Sequence, residues 1–335
     1  MIKVAINGFG RIGRLAFRNI ITGTDFDIVA VNDLTDAEQL AYLLKYDTNH
    51  RSFHEELISY EGDEIVINGT KRVKVFAEKE PENLPWRDLD IDVVLECTGI
   101  FTDLEGGMKH INAGAKKVII SAPAKGEMKT VVYNVNDNIL DGSETVISAA
   151  SCTTNCLAPV LKIIHDNVGI EKGFMTTVHA YTNDQETLDI AHKKGINSRR
   201  GRAAAANIIP SSTGAASAIG LVIPDLLGKM DGSAYRVPVS DGSIIDVVIE
   251  LKRNTTVEEI NTLLKNNQNE TIKFTMDPVV SSDILGKQCG ALVDGQLTTL
   301  IEVDGKQLLK VSAWYDNEMG YTAQMMRTAK KLMEK

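Results

Sequence analysis

Ile2-Lys3-Val4-Ala5-Ile6-Asn7-Gly8-Phe9-Gly10-Arg11-Ile12-Gly13-Arg14-Leu15 opens the chain and decides how its first half is read. Ile2–Ile6 is a short apolar run, the pattern of a buried strand. It stops at a Gly8-x-Gly10-x-x-Gly13 loop, after which Ile12, Leu15, Ala16 and Ile20 fall near one face of a helix. Alone, such a loop is a weak signal; between a strand and a helix it has the context the motif requires. Glycines let the backbone turn tightly and approach a pyrophosphate, and the helix start offers free N–H groups and partial positive charge. The next strand, Asp27–Val31, ends at Asn32-Asp33, and Asp33 lies 20 residues after Gly13. A carboxylate there can bond the ribose 2′-hydroxyl of NAD and would repel the 2′-phosphate of NADP. The loop therefore predicts an NAD site built on Gly8, Gly10, Gly13 and Asp33.

Outward from this unit the alternation continues. Thr35-Asp36-Ala37-Glu38 matches a capping box opening a helix through Leu43. Leu57–Phe76 reads as hairpin strands with Asn68-Gly69 as the turn signal. Ile91–Leu95 and Val118–Ile120 are further apolar strands with a helix between them, and Val146–Ala149 is a last short one. This order predicts a doubly wound, mostly parallel α/β sheet over residues 1–150. From Met175 the strands lengthen. Ser233–Ser240 and Ile244–Leu251 flank Asp241-Gly242, and Leu297–Val303 and Gln307–Trp314 flank Asp304-Gly305. Both pairs read as hairpins, so residues 151–317 are expected to form a second, mostly antiparallel α+β domain. A helix is expected at Val257–Leu264. A terminal helix over 318–335 is expected to return to the first domain.

Bulk properties set outer limits. The chain has 335 residues, enough for about two domains. Its net charge of −9 argues against nucleic acid or an anionic membrane as the main partner. The apolar runs fall far short of a bilayer span. No charged-then-apolar leader is read at the start. Cys97, Cys152, Cys156 and Cys289 show neither zinc-ligand spacing nor a disulfide framework. No metal site is expected, and a reducing, cytoplasmic setting is.

The chemistry is expected at Ser151-Cys152-Thr153-Thr154-Asn155-Cys156, where a strand turns into an amphipathic segment. A cysteine at a helix N-terminus is favoured as thiolate, the reactive form. Pro159 suits a first turn best, so the helix is expected to start after Cys152 or to bend there. Cys156, one turn deeper, competes as the nucleophile but reads more readily as a buried small residue. A thiol nucleophile needs a base. The candidates are His50, His54, His110, His165, His179 and His192; His179 ends a strand-like run beside a loop, where catalytic groups tend to sit. Spacing alone pairs none of them with Cys152. Arg199, Arg200 and Arg202 in a loop of small residues, Ser211-Ser212-Thr213-Gly214 before an expected helix at Ala215–Leu221, and Arg236 in a strand suit an anion.

Together these segments resemble phosphorylating glyceraldehyde-3-phosphate dehydrogenases over essentially the whole chain. The resemblance is carried by Asn7-Gly8-Phe9-Gly10-Arg11-Ile12-Gly13-Arg14, Ala149–Pro159, Thr177-Val178-His179-Ala180-Tyr181-Thr182, Ser212–Ala216 and Trp314–Glu318. It implies Cys152 as nucleophile and His179 as its base. Inorganic phosphate would be held by Ser151, Thr153, Thr213, Gly214 and Arg236, and the phosphate of glyceraldehyde 3-phosphate by Thr182, Arg200 and Arg236. Arg11, Ile12, Asp33, Lys79, Ser121 and Asn317 would contact NAD, and the assembly would be a homotetramer. The alternatives are an erythrose-4-phosphate dehydrogenase, which passes its acyl group to water, and a binding role on the same scaffold. The chain departs from the family pattern in Ala191, where a proline is common, in a longer stretch over Lys193–Ser198, and in Ser217, where a lysine is usual.

Overall fold

A computed structural model describes residues 1–192 and 195–335. Lys193 and Lys194, part of the longer stretch noted above, lie outside the described residues. The chain divides into two compact units: residues 1–131, 137–150 and 325–335 form the first, and residues 132–136 and 151–324 the second.

The first unit is a doubly wound α/β fold. Its elements are β1 (Ile2–Asn7), α1 (Arg11–Thr22), β2 (Phe26–Asn32), α2 (Ala37–Lys45), β3 (Ile58–Glu61), β4 (Glu64–Ile67), β5 (Lys71–Phe76), β6 (Val93–Glu96), α3 (Leu104–Asn112), β7 (Lys117–Ile120) and β8 (Val146–Ser148). They make one eight-stranded sheet in the order β3-β4-β5-β2-β1-β6-β7-β8. From β5 to β8 neighbouring strands run parallel, while β3, β4 and β5 pair antiparallel. The parallel strands read as apolar runs because both faces are covered. One face packs Leu40, Leu44, Phe17 and Ile147, joined by Met325, Met326, Ala329 and Leu332 near the chain end, and the other packs Trp86, Ile91 and Val118. Asn68 and Gly69 both adopt left-handed backbone, φ 51° and 66°, as the expected hairpin requires. The helix cap moves by one residue. Asp36, not Thr35, is the N-cap of α2, accepting the Gln39 N–H at 2.8 Å. Its second oxygen takes the Gln39 side-chain amide at 2.9 Å, so both carboxylate oxygens are engaged by one residue.

The second unit holds α4 (Cys152–Asn167), β9 (Ile170–Ala180), β10 (Ile209–Ser212), α5 (Ile219–Val222), β11 (Met230–Val237), β12 (Ser243–Leu251), α6 (Val257–Asn266), β13 (Ile272–Thr275), β14 (Ala291–Asp294), β15 (Thr299–Val303) and β16 (Lys306–Tyr315). A last helix, α7 (Met319–Met333), follows, and the division between the units falls within it. The sheet runs β10-β11-β9-β12-β16-β14-β13, with β15 on β16. It is mostly antiparallel; only β11–β9 and β13–β14 run parallel.

Two expectations fail here. Asp304-Gly305 does close a hairpin, with Val303 opposite Lys306. Asp241-Gly242 does not, because β9 lies between β11 and β12. Asp241 accepts its neighbour Gly242's N–H at 2.8 Å, so the turn chemistry is satisfied locally while the strands on either side find other partners. The N–H of Tyr181, just past β9, is taken by the Val239 carbonyl in the connection between β11 and β12, at 3.0 Å. The helix expected at Ala215 also starts later, at Ile219. Before it, the Ser217 hydroxyl donates to the Gly214 carbonyl and Thr213 Oγ1 accepts the Ala215 N–H, local bonds that hold the segment as a turn.

Candidate active site

The N-terminal end of α4 presents the thiol. Ala150 sits at φ 59°, a left-handed conformation uncommon outside glycine, and turns the chain sharply into the helix. Ser151 is the N-cap: its Oγ accepts the Thr154 N–H at 3.0 Å. Cys152 is therefore the first helical residue. The helix does not start later: it runs from Cys152 to Asn167 with Pro159 inside it. Cys152 is half-buried, with its sulfur at the positive end of the helix.

His179 stands 3.4 Å from the Cys152 sulfur through Nε2. Its Nδ1 is 2.7 Å from the Ala180 carbonyl, which can only accept. The ring proton is thus on Nδ1, and Nε2 aims a free lone pair at the thiol. Burial, with the Arg236 guanidinium opposing a second cation, lowers the His179 pKa to about 3, so the ring is a neutral acceptor. Burial pushes the Cys152 thiol up; Arg236 and Thr153 pull the other way. A protonated thiol facing a neutral imidazole has the geometry of a nucleophile with a base in reach.

Three further groups complete the arrangement. Tyr315 lies edge-on to His179 and bonds the hydroxyls of Thr153 and Thr177 at 2.9 and 2.8 Å. Arg236 on β11 is the cross-strand partner of His179 on β9. Its Nη1 donates to the Ala180 carbonyl at 3.0 Å and to Thr182 Oγ1 at 2.9 Å. Its buried Nε has no partner among the described residues, a donor left for an anion. Arg200 joins through Asp184, which it pairs with and which also takes the Thr182 hydroxyl, and through Ser211 Oγ at 2.9 Å.

The structure thus gathers Cys152, His179, Thr182, Arg200 and Arg236. Ser151 and Thr153 flank the sulfur, with their hydroxyls already bonded inside the protein. Thr213 and Gly214 sit in the turn after β10, and among the described residues no hydrogen bond ties them to the Cys152 group. Asn317 is buried in the second unit, where Ser243 donates to its Oδ1 at 2.6 Å. Sequence reading gave no role to Tyr315 or Asp184. Tyr315 had a signal: it shares the inward side of β16 with Val311 and Ala313.

In the first unit, a cleft of about 460 Å³ opens at the strand ends. Gly8, Gly10, Asp33, Lys79 and Cys97 are among its lining residues. Gly8 is at φ 89°, and a Cβ there would fall 2.6 Å from the Thr98 nitrogen. A Cβ on Gly13 would fall 2.1 Å from the Gly8 carbonyl oxygen, which explains the third glycine as close packing of helix on loop. Beside Gly10 lies open space. Asp33 is fixed at the rim by the Phe9 N–H at 2.7 Å. The Arg11 side chain pairs with Asp47, and its backbone stands at the start of α1. The Ser121 hydroxyl bonds the Cys97 thiol, which burial pushes up to about 12.

A glycine-turned strand-to-helix cleft with a fixed acidic rim, on a chain that also builds a thiol–imidazole pair beside an arginine cluster, defines a nicotinamide-dependent oxidoreductase of the thiol type. Comparison with known proteins narrows the class. Residues 2–104 match the family description "Glyceraldehyde 3-phosphate dehydrogenase, NAD binding domain", and residues 151–317 match its C-terminal domain. Proteins named glyceraldehyde-3-phosphate dehydrogenase from Clostridium acetobutylicum and Clostridium pasteurianum are 60% and 59% identical over 328 residues, covering 98% of this chain and 97% of theirs. One from Streptococcus pyogenes is 55% identical over 329 residues, with the same coverage. The chain belongs to the glyceraldehyde-3-phosphate dehydrogenase family.

Proposed function

We propose that this protein oxidises D-glyceraldehyde 3-phosphate with NAD in glycolysis and captures the product on inorganic phosphate as 1,3-bisphosphoglycerate. The observation that carries this reading is the Cys152–His179 pair beside Arg236 and its unpartnered Nε. Residues 1–150 with the terminal helix serve as the NAD domain, and residues 151–317 as the catalytic domain.

The Cys152 sulfur attacks the aldehyde carbon while its proton passes through His179 Nε2 to the carbonyl oxygen, giving a hemithioacetal and returning the ring to its neutral form. When bound, NAD supplies the hydride acceptor. His179 takes the hydroxyl proton as the adduct is oxidised, leaving a thioester on Cys152. Phosphate then attacks the thioester carbonyl, and the thiolate leaves with the C–S bond pair. Sulfur matters because a thioester retains the oxidation energy for transfer to phosphate. Arg236, with Thr182 and Arg200, holds the substrate phosphate. Ser151, Thr153, Thr213, Gly214 and Arg236 hold the inorganic one. The start of α1 at Gly10, Arg11 and Ile12 takes the pyrophosphate of NAD, Asp33 the ribose hydroxyl, and Lys79, Ser121 and Asn317 further contacts.

We infer a cytoplasmic homotetramer. The four free cysteines suit a reducing compartment, and no described helix is long and apolar enough to cross a membrane. Phe174, Tyr235 and Val248 project from the outer side of the second unit's sheet, Phe174 being 70% exposed. A row of this kind is suited to cover by another subunit.

The test is NADH formation from glyceraldehyde 3-phosphate with and without phosphate, run with NAD and NADP in parallel. Dependence on phosphate and preference for NAD are expected. Equal rates without phosphate would reassign the enzyme to acid formation, and preference for NADP would contradict the role of Asp33.

A further inference from the structure

Beneath the glycine loop lies a polar chain that the reaction does not use. Glu96 ends β6 and is 1% exposed. Parallel register sets Asn7 between Glu96 on one side and Asn32 on the other, so three polar residues stand abreast at the ends of adjacent strands. Glu96 Oε2 accepts the Asn7 side-chain amide at 2.6 Å. Glu96 Oε1 accepts the Thr98 N–H at 2.8 Å and also the Thr98 hydroxyl. Asn7 Oδ1 in turn accepts the Asn32 amide at 2.7 Å. Asn32 closes the chain on Glu78, donating to its carbonyl and accepting its N–H, both at 2.8 Å. Asn7, Asn32, Glu78 and Thr98 all line the 460 Å³ cleft; Glu96 does not.

The direction of every bond in this chain is set at one end. A carboxylate only accepts, so the Asn7 NH2 must face Glu96 and its carbonyl must face Asn32. That orients Asn32, which orients the Glu78 backbone. Behind Glu96 the arrangement is locked as well. The Trp86 indole can only donate, and it reaches His110 Nδ1 at 3.0 Å, so the His110 proton is on Nε2, which meets Glu96 Oε2 at 3.1 Å. Asn7, Asn32, Glu96, His110 and Trp86 are buried, where a reversed amide leaves donors facing donors.

We propose that Glu96 is a positioning residue for the dinucleotide: its carboxylate fixes the amide polarity of Asn7 and Asn32 and the place of Thr98, and so shapes the cofactor cleft without touching the cofactor. The proposal rests on the NAD reading above. That reading fails if the unaltered protein makes no NADH; this one fails only if the unaltered protein is active and the variants below behave otherwise than stated.

Glu96→Gln places an NH2 group where two donors already point. The Asn7 amide must then turn or lose its bond, and the disturbance passes to Asn32 and Glu78. KM for NAD is expected to rise roughly tenfold or more, while kcat at saturating NAD and KM for the aldehyde stay within about twofold. His110→Gln is the control for damage to the same buried cluster. It removes the His110 contacts to Glu96 and to the Asn7 amide nitrogen, 3.4 Å away, but leaves the carboxylate that accepts from Asn7 and Thr98 in place, so it should lower the melting temperature with KM for NAD within about twofold. An unchanged KM for NAD in folded Glu96→Gln overturns the proposal, as does an equal rise in His110→Gln. If Glu96→Gln does not fold, Thr98→Val decides: loss of its hydroxyl should raise KM for NAD roughly two- to fivefold at constant KM for the aldehyde, and no change there overturns the proposal.

Discussion

Cys152 and Cys156 stand one turn apart on the same helix, and their surroundings could hardly differ more. Cys152 is the first residue of α4, half-buried, with a histidine lone pair at 3.4 Å and an arginine nearby. Cys156 is fully buried and offers its S–H to the Ala313 carbonyl at 3.7 Å. Burial pushes its thiol well above the ordinary range, and the neighbouring Cys289 and Cys152 add to the shift. One turn of helix separates the dipole's positive end, with a base in reach, from a wall of packed apolar groups. Reactivity here belongs to the position, since the side chain is the same.

The widest separation is expected in activity. Cys152→Ser should lower kcat by more than about 10³-fold, because the thioester can no longer form at sulfur. Cys156→Ala should keep kcat within about threefold and cost on the order of 1 kcal/mol of stability as a small cavity. Steady-state assays and urea unfolding of the two variants check this directly, and comparable activity losses would erase the distinction drawn between the cysteines. A smaller effect is expected when the base alone is removed. His179→Gln should lower kcat by roughly 10²–10⁴-fold and slow iodoacetamide alkylation of Cys152, leaving the low reactivity of Cys156 unaltered. Alkylation of Cys152 at the unaltered rate would show that His179 does not activate it.

The smallest effect is one of pH on stability. His179 is held at about 3 in the folded protein against an ordinary 6.5. Between those values the unfolded chain binds a proton that the folded chain does not, so stability falls as pH drops through this window. His179→Gln lacks that loss. From pH 7 to pH 5 it should lose less stability than the unaltered protein by on the order of 1 kcal/mol. Equal losses, measured by urea unfolding at both pH values, would mean that the ring is not held neutral by its surroundings.

Much of this arrangement can be read in the chain before folding, and the parts that cannot share a cause. The glycine loop, the strand-to-helix turn at Cys152 and the Asp304-Gly305 hairpin are local: the residues that set the conformation are the residues that adopt it. Asp241-Gly242 carries the same turn signal as Asp304-Gly305, yet its flanking strands are parted by β9, which comes some sixty residues earlier in sequence. No turn propensity reports on a strand that arrives from elsewhere. The pairing of His179 with Cys152 is of the same kind, since it depends on β9 and α4 meeting side by side. So is the chain from Glu96 to Asn32, built on the register of three strands. Tyr315 goes without a role because its partners, Thr153 and Thr177, are distant in sequence, and Asp184 because its pairing with Arg200 is made only by the fold. The Asp36 cap shows the limit at the other extreme: the signal is local and correct in kind, but Thr35 and Asp36 are both good caps and the sequence does not choose between neighbours.

Carriage of the acyl group on the Cys152 sulfur is the step on which the proposed function turns. It is tested most directly by mixing the protein with NAD and glyceraldehyde 3-phosphate in phosphate-free buffer, quenching in acid, and mapping the adduct by peptide mass spectrometry. An acyl group on Cys152, absent from Cys156 and discharged on addition of phosphate, is the expected result; an adduct on Cys156, or none on either cysteine while NADH accumulates, would contradict it.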